Sequence, residues 1–321
     1  MADPRHNTRT AVIIAGPTAV GKSEAALAVC ERYGGELVSA DSMQVYRGLN
    51  IGTAKPTDAE RARIPHHMID IADPHEPFSV AEYRARAEVV IDDMFARKAL
   101  PVICGGSGLY INSLLYDMDF SGTAGDADLR EKYTRLAHDF GNSYIYDILQ
   151  RRDPAGAEKL HANDRKKVIR ALERIEKGGE RAGLRDFERS FTAGSLIDPL
   201  LIVLTRDRAD LYELIEQRTD RMIDAGLEQE VRGLTCGGMP EDGISLLGIG
   251  YKEMLAYIRG DCDLPEAIRL IKQNSRRYAK RQMTWFRRWE NALFFEIAGK
   301  TPVQNVLPEL FAVIDAEFPV K

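Results

Sequence analysis

The run Gly16-Pro-Thr-Ala-Val-Gly21-Lys22-Ser23 sets two glycines, a lysine and a hydroxyl at the spacing G-x-x-x-x-G-K-[ST]. Each of these residue types suits an anion. Glycine lets the backbone curl so that successive N–H groups face one phosphate, and a following helix adds partial positive charge at its start. Lys22 neutralises phosphate oxygens and the Ser23 hydroxyl can ligate Mg2+. Gly16, Pro17, Thr18, Ala19, Val20, Gly21, Lys22 and Ser23 are therefore expected to hold a diphosphate, with magnesium at Ser23. ATP, GTP and an allylic diphosphate present the same group, so the loop does not choose among them.

Asp41 is the second candidate. It follows the apolar run Glu36-Leu-Val-Ser-Ala40, and a parallel sheet would bring it to the same edge as the first loop. There it could bind magnesium through water, take a proton from a substrate, or cap the next turn. Position alone leaves all three open. A third feature is cationic: Lys272, Arg276, Arg277, Lys280, Arg281, Arg287 and Arg288 follow one another with no intervening acid, interleaved with Tyr278, Trp285 and Phe286. Such a helix suits phosphate contact and base stacking, and equally a solvated face with aromatics turned to the core. His66 and His67 are adjacent, which rarely lets both face one ion, and no third ligand is evident; they read as packing or hydrogen-bonding residues.

The elements that must position these groups alternate. Thr10-Ala-Val-Ile-Ile-Ala15 is a short β-branched run cut off by Gly16-Pro17, and Lys22 to Tyr33 follows with apolar residues at helical spacing. Further strands are expected at Glu36 to Ala40, Leu100 to Cys104, Leu200 to Leu204 and Leu293 to Ile297. Helices are expected at Leu109 to Leu115, Arg208 to Ala225, Leu227 to Leu234, Gly250 to Arg259 and Pro265 to Trp289. This alternation predicts an α/β fold, a P-loop-type parallel sheet core flanked by helices, with ligands at the carboxyl ends of its strands. Between Leu115 and Leu200 the pattern is helical, which predicts an inserted helical domain. The expected organisation is a flexible tail over 1–9, a core domain from 10–116 and 197–321, and a helical insertion over 117–196.

Composition narrows the class. With 321 residues, 44% hydrophobic and 29% charged, and no apolar run near the ~20 residues of a membrane helix, the chain reads as globular, without a membrane span. Its polar N-terminus lacks a signal-peptide stretch, so a cytoplasmic location is expected. Cys30, Cys104, Cys236 and Cys262 are scattered without a C-x-x-C pair, which argues against zinc and disulfides and for buried, reduced thiols. The net charge of −5 gives no global nucleic-acid signal, so an RNA site would have to be a local basic patch.

The stretch Asp41-Ser-Met-Gln-Val-Tyr-Arg-Gly-Leu-Asn-Ile-Gly-Thr-Ala-Lys-Pro56 closely resembles the motif after the second strand of tRNA dimethylallyltransferases. His66-His-Met-Ile-Asp70, Gly105-Gly-Ser-Gly-Leu-Tyr110, Ile215-Glu-Gln-Arg218, Gly248-Ile-Gly-Tyr251 and Ala279 to Arg287 resemble later motifs of that family, in the same order. The resemblance implies transfer of a dimethylallyl group from dimethylallyl diphosphate to the exocyclic amine (N6) of the adenosine 3′ of the anticodon in tRNA. The phosphate loop would then hold the donor's diphosphate.

By matching positions, the resemblance makes Asp41 the general base, lays Asp41, Ser42, Met43 and Gln44 along the RNA, and sets Arg218 on the diphosphate. Ser107 stands where the family often has threonine, near the reacting centre, and keeps the hydroxyl. In the insertion, Arg130, Lys166, Lys167, Val168, Ile169 and Arg170 match positions that touch RNA. Lys280, Arg281, Gln282, Trp285 and Arg287 are the corresponding RNA contacts of the basic helix. With no Cys/His cluster after the core, the chain looks like the compact bacterial form, expected to act as a monomer on the anticodon stem-loop. The rival readings are a P-loop kinase of small metabolites using ATP and an ATP-switched RNA-binding module. Neither accounts for the motifs at Asp41 to Pro56 and Gly105 to Tyr110 together.

Overall fold

The computed structural model describes residues 9–116, 118, 127–177, 196–239 and 243–317. The chain divides into two compact units, Met1–Tyr116 with Gly194–Lys321, and Asp117–Ala193.

In the first unit, strands β1 (Thr10–Ala15), β2 (Gly35–Ser39), β3 (His66–His67), β4 (Leu100–Gly105), β5 (Asp198–Thr205) and β6 (Leu293–Glu296) form one sheet in the order β3-β2-β4-β1-β5-β6. Every pairing is parallel. The central strands are continuous apolar runs because both faces are covered: Ala11 to Ala15 are all buried. Helices α1 (Lys22–Tyr33), α2 (Asp58–Arg63), α3 (Val80–Ala96) and α4 (Gly108–Leu115) belong to the first half of this unit. The packing of α1 explains its place after the phosphate loop. Ala25, Ala26, Leu27, Val29 and Cys30 form its buried face, joining Val12, Ile14, Val102 and Leu204 in one core, and the helix stops at left-handed Gly34.

The register levels three chain turns. Ala15 pairs with Gly105, and Ser39 pairs with Cys104, so Ala40 stands level with Ala15 and Gly105 and the three chains leave the sheet within one residue of the same height. Beyond the strands the Ala40 N–H still donates to the Cys104 carbonyl at 2.8 Å and the Ser107 N–H to the Ala40 carbonyl at 3.1 Å.

The second unit holds α5 (Ala127–Phe140), α6 (Asn142–Arg152), α7 (Pro154–Ala157) and α8 (Arg165–Glu176), around a core of its own that includes Tyr133, Ile145, Leu149, Val168 and Leu172. The first unit resumes with β5 and continues through α9 (Arg208–Asp224), α10 (Leu227–Cys236), α11 (Tyr251–Arg259), α12 (Leu264–Phe286) and α13 (Leu307–Glu317).

The main differences from the sequence reading are additions. Helices α2, α3 and α13 and the two-residue strand β3 were not expected. Helix α12 ends at Phe286, short of Trp289, whose indole N–H turns inward to the Asn112 side-chain oxygen at 2.9 Å. Cys30 and Cys104 are buried thiols as expected, but Cys236 is exposed at the last position of α10 and Cys262 partly exposed in the turn between α11 and α12; none forms a disulfide.

Candidate active site

The phosphate loop is shaped by two glycines that nothing else could replace cheaply. Gly16 has φ 150°, and a Cβ there would meet the Leu204 carbonyl oxygen at 2.6 Å; Gly21 has φ 111° and a Cβ would press on Val303. Lys22 opens α1 and folds back to donate to the Pro17 carbonyl at 2.8 Å. Burial brings its ammonium down to about 8, with Arg218 pushing the same way and Cys104 and Asp41 opposing, so cation, arginine and carboxylate all feel one another.

Asp41 sits one residue beyond level Ala40. Its Oδ1 accepts the N–H of Met43 at 2.8 Å and of Gln44 at 3.3 Å, so the capping role that position allowed is present. The same side chain lines a cavity of about 340 Å³ together with Thr18 of the loop, Arg218 of α9 and Tyr278 and Arg281 of α12. The cavity continues along Ile215, Thr219 and Met222 on α9 and Ile271 and Ser275 on α12. None of these five was singled out as a site residue, although their spacing by three and four puts each set on one helical face.

The Gly105-Gly106-Ser107 turn closes another side. A Cβ at Gly105 would lie 2.1 Å from the Ala40 carbonyl oxygen, and one at Gly106 would lie 2.1 Å from Gln282 Nε2. Ser107 Oγ accepts the Ser42 N–H at 3.0 Å and donates to Ser42 Oγ at 3.3 Å. The Tyr278 hydroxyl bonds to the Ser107 and Gln282 side chains, and burial with the nearby Asp41 charge pushes its pKa up to about 12, so it stays a donor.

Several expected RNA contacts are engaged elsewhere. Gln282 is buried and joins the Thr18 N–H to the Gly106 carbonyl. Gln44 accepts from Ser39 Oγ and donates to the carbonyls of Thr53 and Ala54. Val168 and Ile169 are buried in the helical unit, so their side chains offer no surface to an RNA. Arg130 and Arg170 both pair with Glu173, whose side chain is 4% exposed, and Lys167 pairs with Asp164; Lys166 is exposed. On α12, Lys280 and Arg281 are exposed and Trp285 is partly exposed against Gly108, with Arg287 exposed just past the helix end. Ser42 and Met43 line the cavity beside Asp41.

The histidines pair with protein. His66 Nδ1 meets the Ile64 carbonyl and His67 Nε2 meets Glu36 at 2.7 Å. Among the described residues no group of three or more His, Cys, Asp or Glu could hold a metal ion. Ser23 is exposed on the first turn of α1, and its hydroxyl has no protein partner among the described residues. That suits a Mg2+ held mainly by phosphate oxygens and water.

An all-parallel sheet with this loop on its central strand defines a P-loop-type α/β protein. The IPP transferase family model matches residues 44–289, and the chain belongs to that family. It is 46% identical over 308 residues to the tRNA dimethylallyltransferase of Alkaliphilus metalliredigens, covering 96% of this chain and 97% of that one. The full-length tRNA isopentenylpyrophosphate transferase of Bacillus halodurans superposes with a TM-score of 0.71 at 39% identity, covering 96% of each chain. A eukaryotic dimethylallyltransferase solved acting on tRNA gives a TM-score of 0.78 at 25% identity, over 96% of this chain and 78% of that one.

Proposed function

We propose that this chain transfers the dimethylallyl group of dimethylallyl diphosphate to N6 of the adenosine 3′ of the anticodon in tRNA, releasing diphosphate. The observation that carries this reading is the single cavity shared by Thr18 of the phosphate loop, Arg218 and Asp41. Family membership leaves the kinase and the ATP-switched module unfavoured.

As the allylic C–O bond breaks, its electron pair leaves with the diphosphate, and Lys22, Arg218 and the loop N–H groups stabilise that charge. A Mg2+ at Ser23, when bound, would add charge neutralisation on the diphosphate oxygens. The adenine amine is a weak nucleophile because its lone pair is delocalised into the ring. As it forms the new C–N bond, its proton passes to Asp41. Met43 and Gln44 engage Oδ1, which orients the carboxylate and leaves Oδ2 for the amine. A base stacked in an anticodon loop cannot reach this carboxylate, so the adenosine must be extruded into the cavity. Ser107, tied to Ser42 and Tyr278, orients the acceptor or the bridging oxygen.

Purified protein incubated with unmodified tRNA, magnesium and either dimethylallyl diphosphate or ATP, followed by mass analysis of digested nucleosides, tests the proposal. The adenosine gains one prenyl group only with the allylic donor. A product that appears only with ATP, or no change in nucleoside mass, overturns it.

A further inference from the structure

Tyr251 at the start of α11 lines the cavity, Glu230 on α10 accepts its hydroxyl, and both are committed to one turn. Glu230 accepts the N–H groups of Asn50 at 3.0 Å, Ile51 at 2.8 Å and Gly52 at 3.2 Å, and the Tyr251 hydroxyl donates to it at 2.6 Å. The same hydroxyl accepts from the N–H groups of Gly52 and Thr53. One carboxylate and one phenol therefore bind four successive backbone donors. The fit excludes any side chain at residue 52, where a Cβ would lie 2.5 Å from the Tyr251 ring.

The turn presents the Thr53 carbonyl in return. It accepts from Arg218 Nη2 at 3.4 Å and from Gln44 Nε2 at 3.2 Å, while Thr53 Oγ1 is anchored on the Leu49 carbonyl at 2.7 Å. Asn50 is exposed, so water would satisfy its N–H without a carboxylate. What the clamp adds is one fixed orientation of the Thr53 carbonyl.

We infer that Glu230 and Tyr251 are positioning residues for Arg218, holding its guanidinium toward the diphosphate through the Thr53 carbonyl. The inference rests on the reading of Arg218 as a donor ligand given above. An arginine held in place before the anion arrives loses less freedom on binding, so the clamp acts on donor affinity and leaves RNA affinity alone.

The test is steady-state kinetics of Tyr251→Phe and Glu230→Gln, each with varied dimethylallyl diphosphate at saturating tRNA and the reverse. Donor KM rises about fivefold to tenfold, on the scale of one lost hydrogen bond, with tRNA KM unchanged. The double variant Arg218→Gln/Tyr251→Phe has the donor KM of Arg218→Gln alone, because both changes act through one group. Unchanged donor KM in both single variants, or full additivity in the double, overturns the inference. If Tyr251→Phe does not fold, Glu230→Gln alone decides, paired with Arg218→Gln in the same way. Wild-type protein that transfers no prenyl group sinks the functional reading, and this inference with it; an active wild type with unmoved variants sinks this inference alone.

Discussion

Thr18 and Gln282, 264 positions apart in the chain, are joined by a hydrogen bond of 2.9 Å from the loop N–H to the side-chain oxygen. The Gln282 amide passes the connection on to the Gly106 carbonyl, also at 2.9 Å. One buried side chain thus fixes the phosphate loop against the β4 turn, although the family-like motif around it first suggested an RNA contact. Replacing it with leucine leaves a donor and an acceptor without a partner, at about 1–3 kcal/mol for each group that water cannot reach. Gln282→Leu is therefore expected to lower the melting temperature and raise donor KM together. A variant that loses only tRNA affinity would return Gln282 to the RNA surface.

Asp41 combines a turn cap with a general base, and two substitutions separate these. Asn keeps an Oδ1 for Met43 and Gln44 but offers no carboxylate to the amine. Asp41→Asn should fold normally and lose about 10²- to 10⁴-fold in kcat, the usual range for a missing general base. Asp41→Ala should lose activity too, and in addition about 1 kcal/mol of stability, the scale of a lost cap. Both should retain tRNA binding in a filter or gel-shift assay. Near-wild-type turnover by Asp41→Asn would remove Asp41 from the chemistry.

Lys22 predicts a pH dependence. Burial, reinforced by Arg218, holds its ammonium near 8, below the ordinary 10.5, in the absence of a phosphate. The folded free enzyme therefore gives up this proton before the unfolded chain does. Between those two values the unfolded chain binds more protons, so this group's contribution to stability rises with pH across that window. Donor capture moves the other way, because only the protonated lysine neutralises phosphate. For wild-type protein, kcat/KM for the donor should fall as pH rises through about 8, and Lys22→Arg, permanently charged, should lack that fall at a lower overall rate. A profile flat from pH 7 to about 9 in wild type would contradict the assignment.

What could be read from the sequence was local. Strands β1, β2, β4 and β5 announced themselves because each is an apolar run ended by glycine, aspartate or a polar turn. Helix α3 did not, because its buried stripe of Tyr83, Ala87, Ile91 and Met94 is diluted by apolar residues that face water, such as Val89 at 70% exposure. Strand β3 is only His66 and His67, and pairing with Leu37 and Val38 is what makes it a strand. The loop at Lys22 and the acid at Asp41 were visible because their chemistry lies within a few residues. Glu230 was not, since its partners Asn50 to Gly52 lie about 180 positions away and no spacing rule connects them. That the Val168 and Ile169 side chains are buried was not legible either, because matching positions carry no information on which side of α8 faces the core.

The basic stretch of α12 divides into spent and available charges, and that division is testable by salt. Lys272 pairs with Asp220 at 2.7 Å and Arg276 with Glu216, both on α9, so these cations bind the fold. Arg277, Lys280, Arg287 and Arg288 are exposed and have no ion pair among the described residues. If this face holds RNA phosphates, each such contact releases counterions, and deleting one lowers the slope of log affinity against log salt by about one. Lys280→Ala should therefore raise tRNA KM, flatten its dependence on salt between about 50 and 200 mM, and leave donor KM alone. Lys272→Ala should leave the slope as it is, because its charge is already neutralised by Asp220. Equal slopes for wild type and Lys280→Ala would mean that this cation is only solvated, and the RNA-gripping surface would have to be sought among other residues.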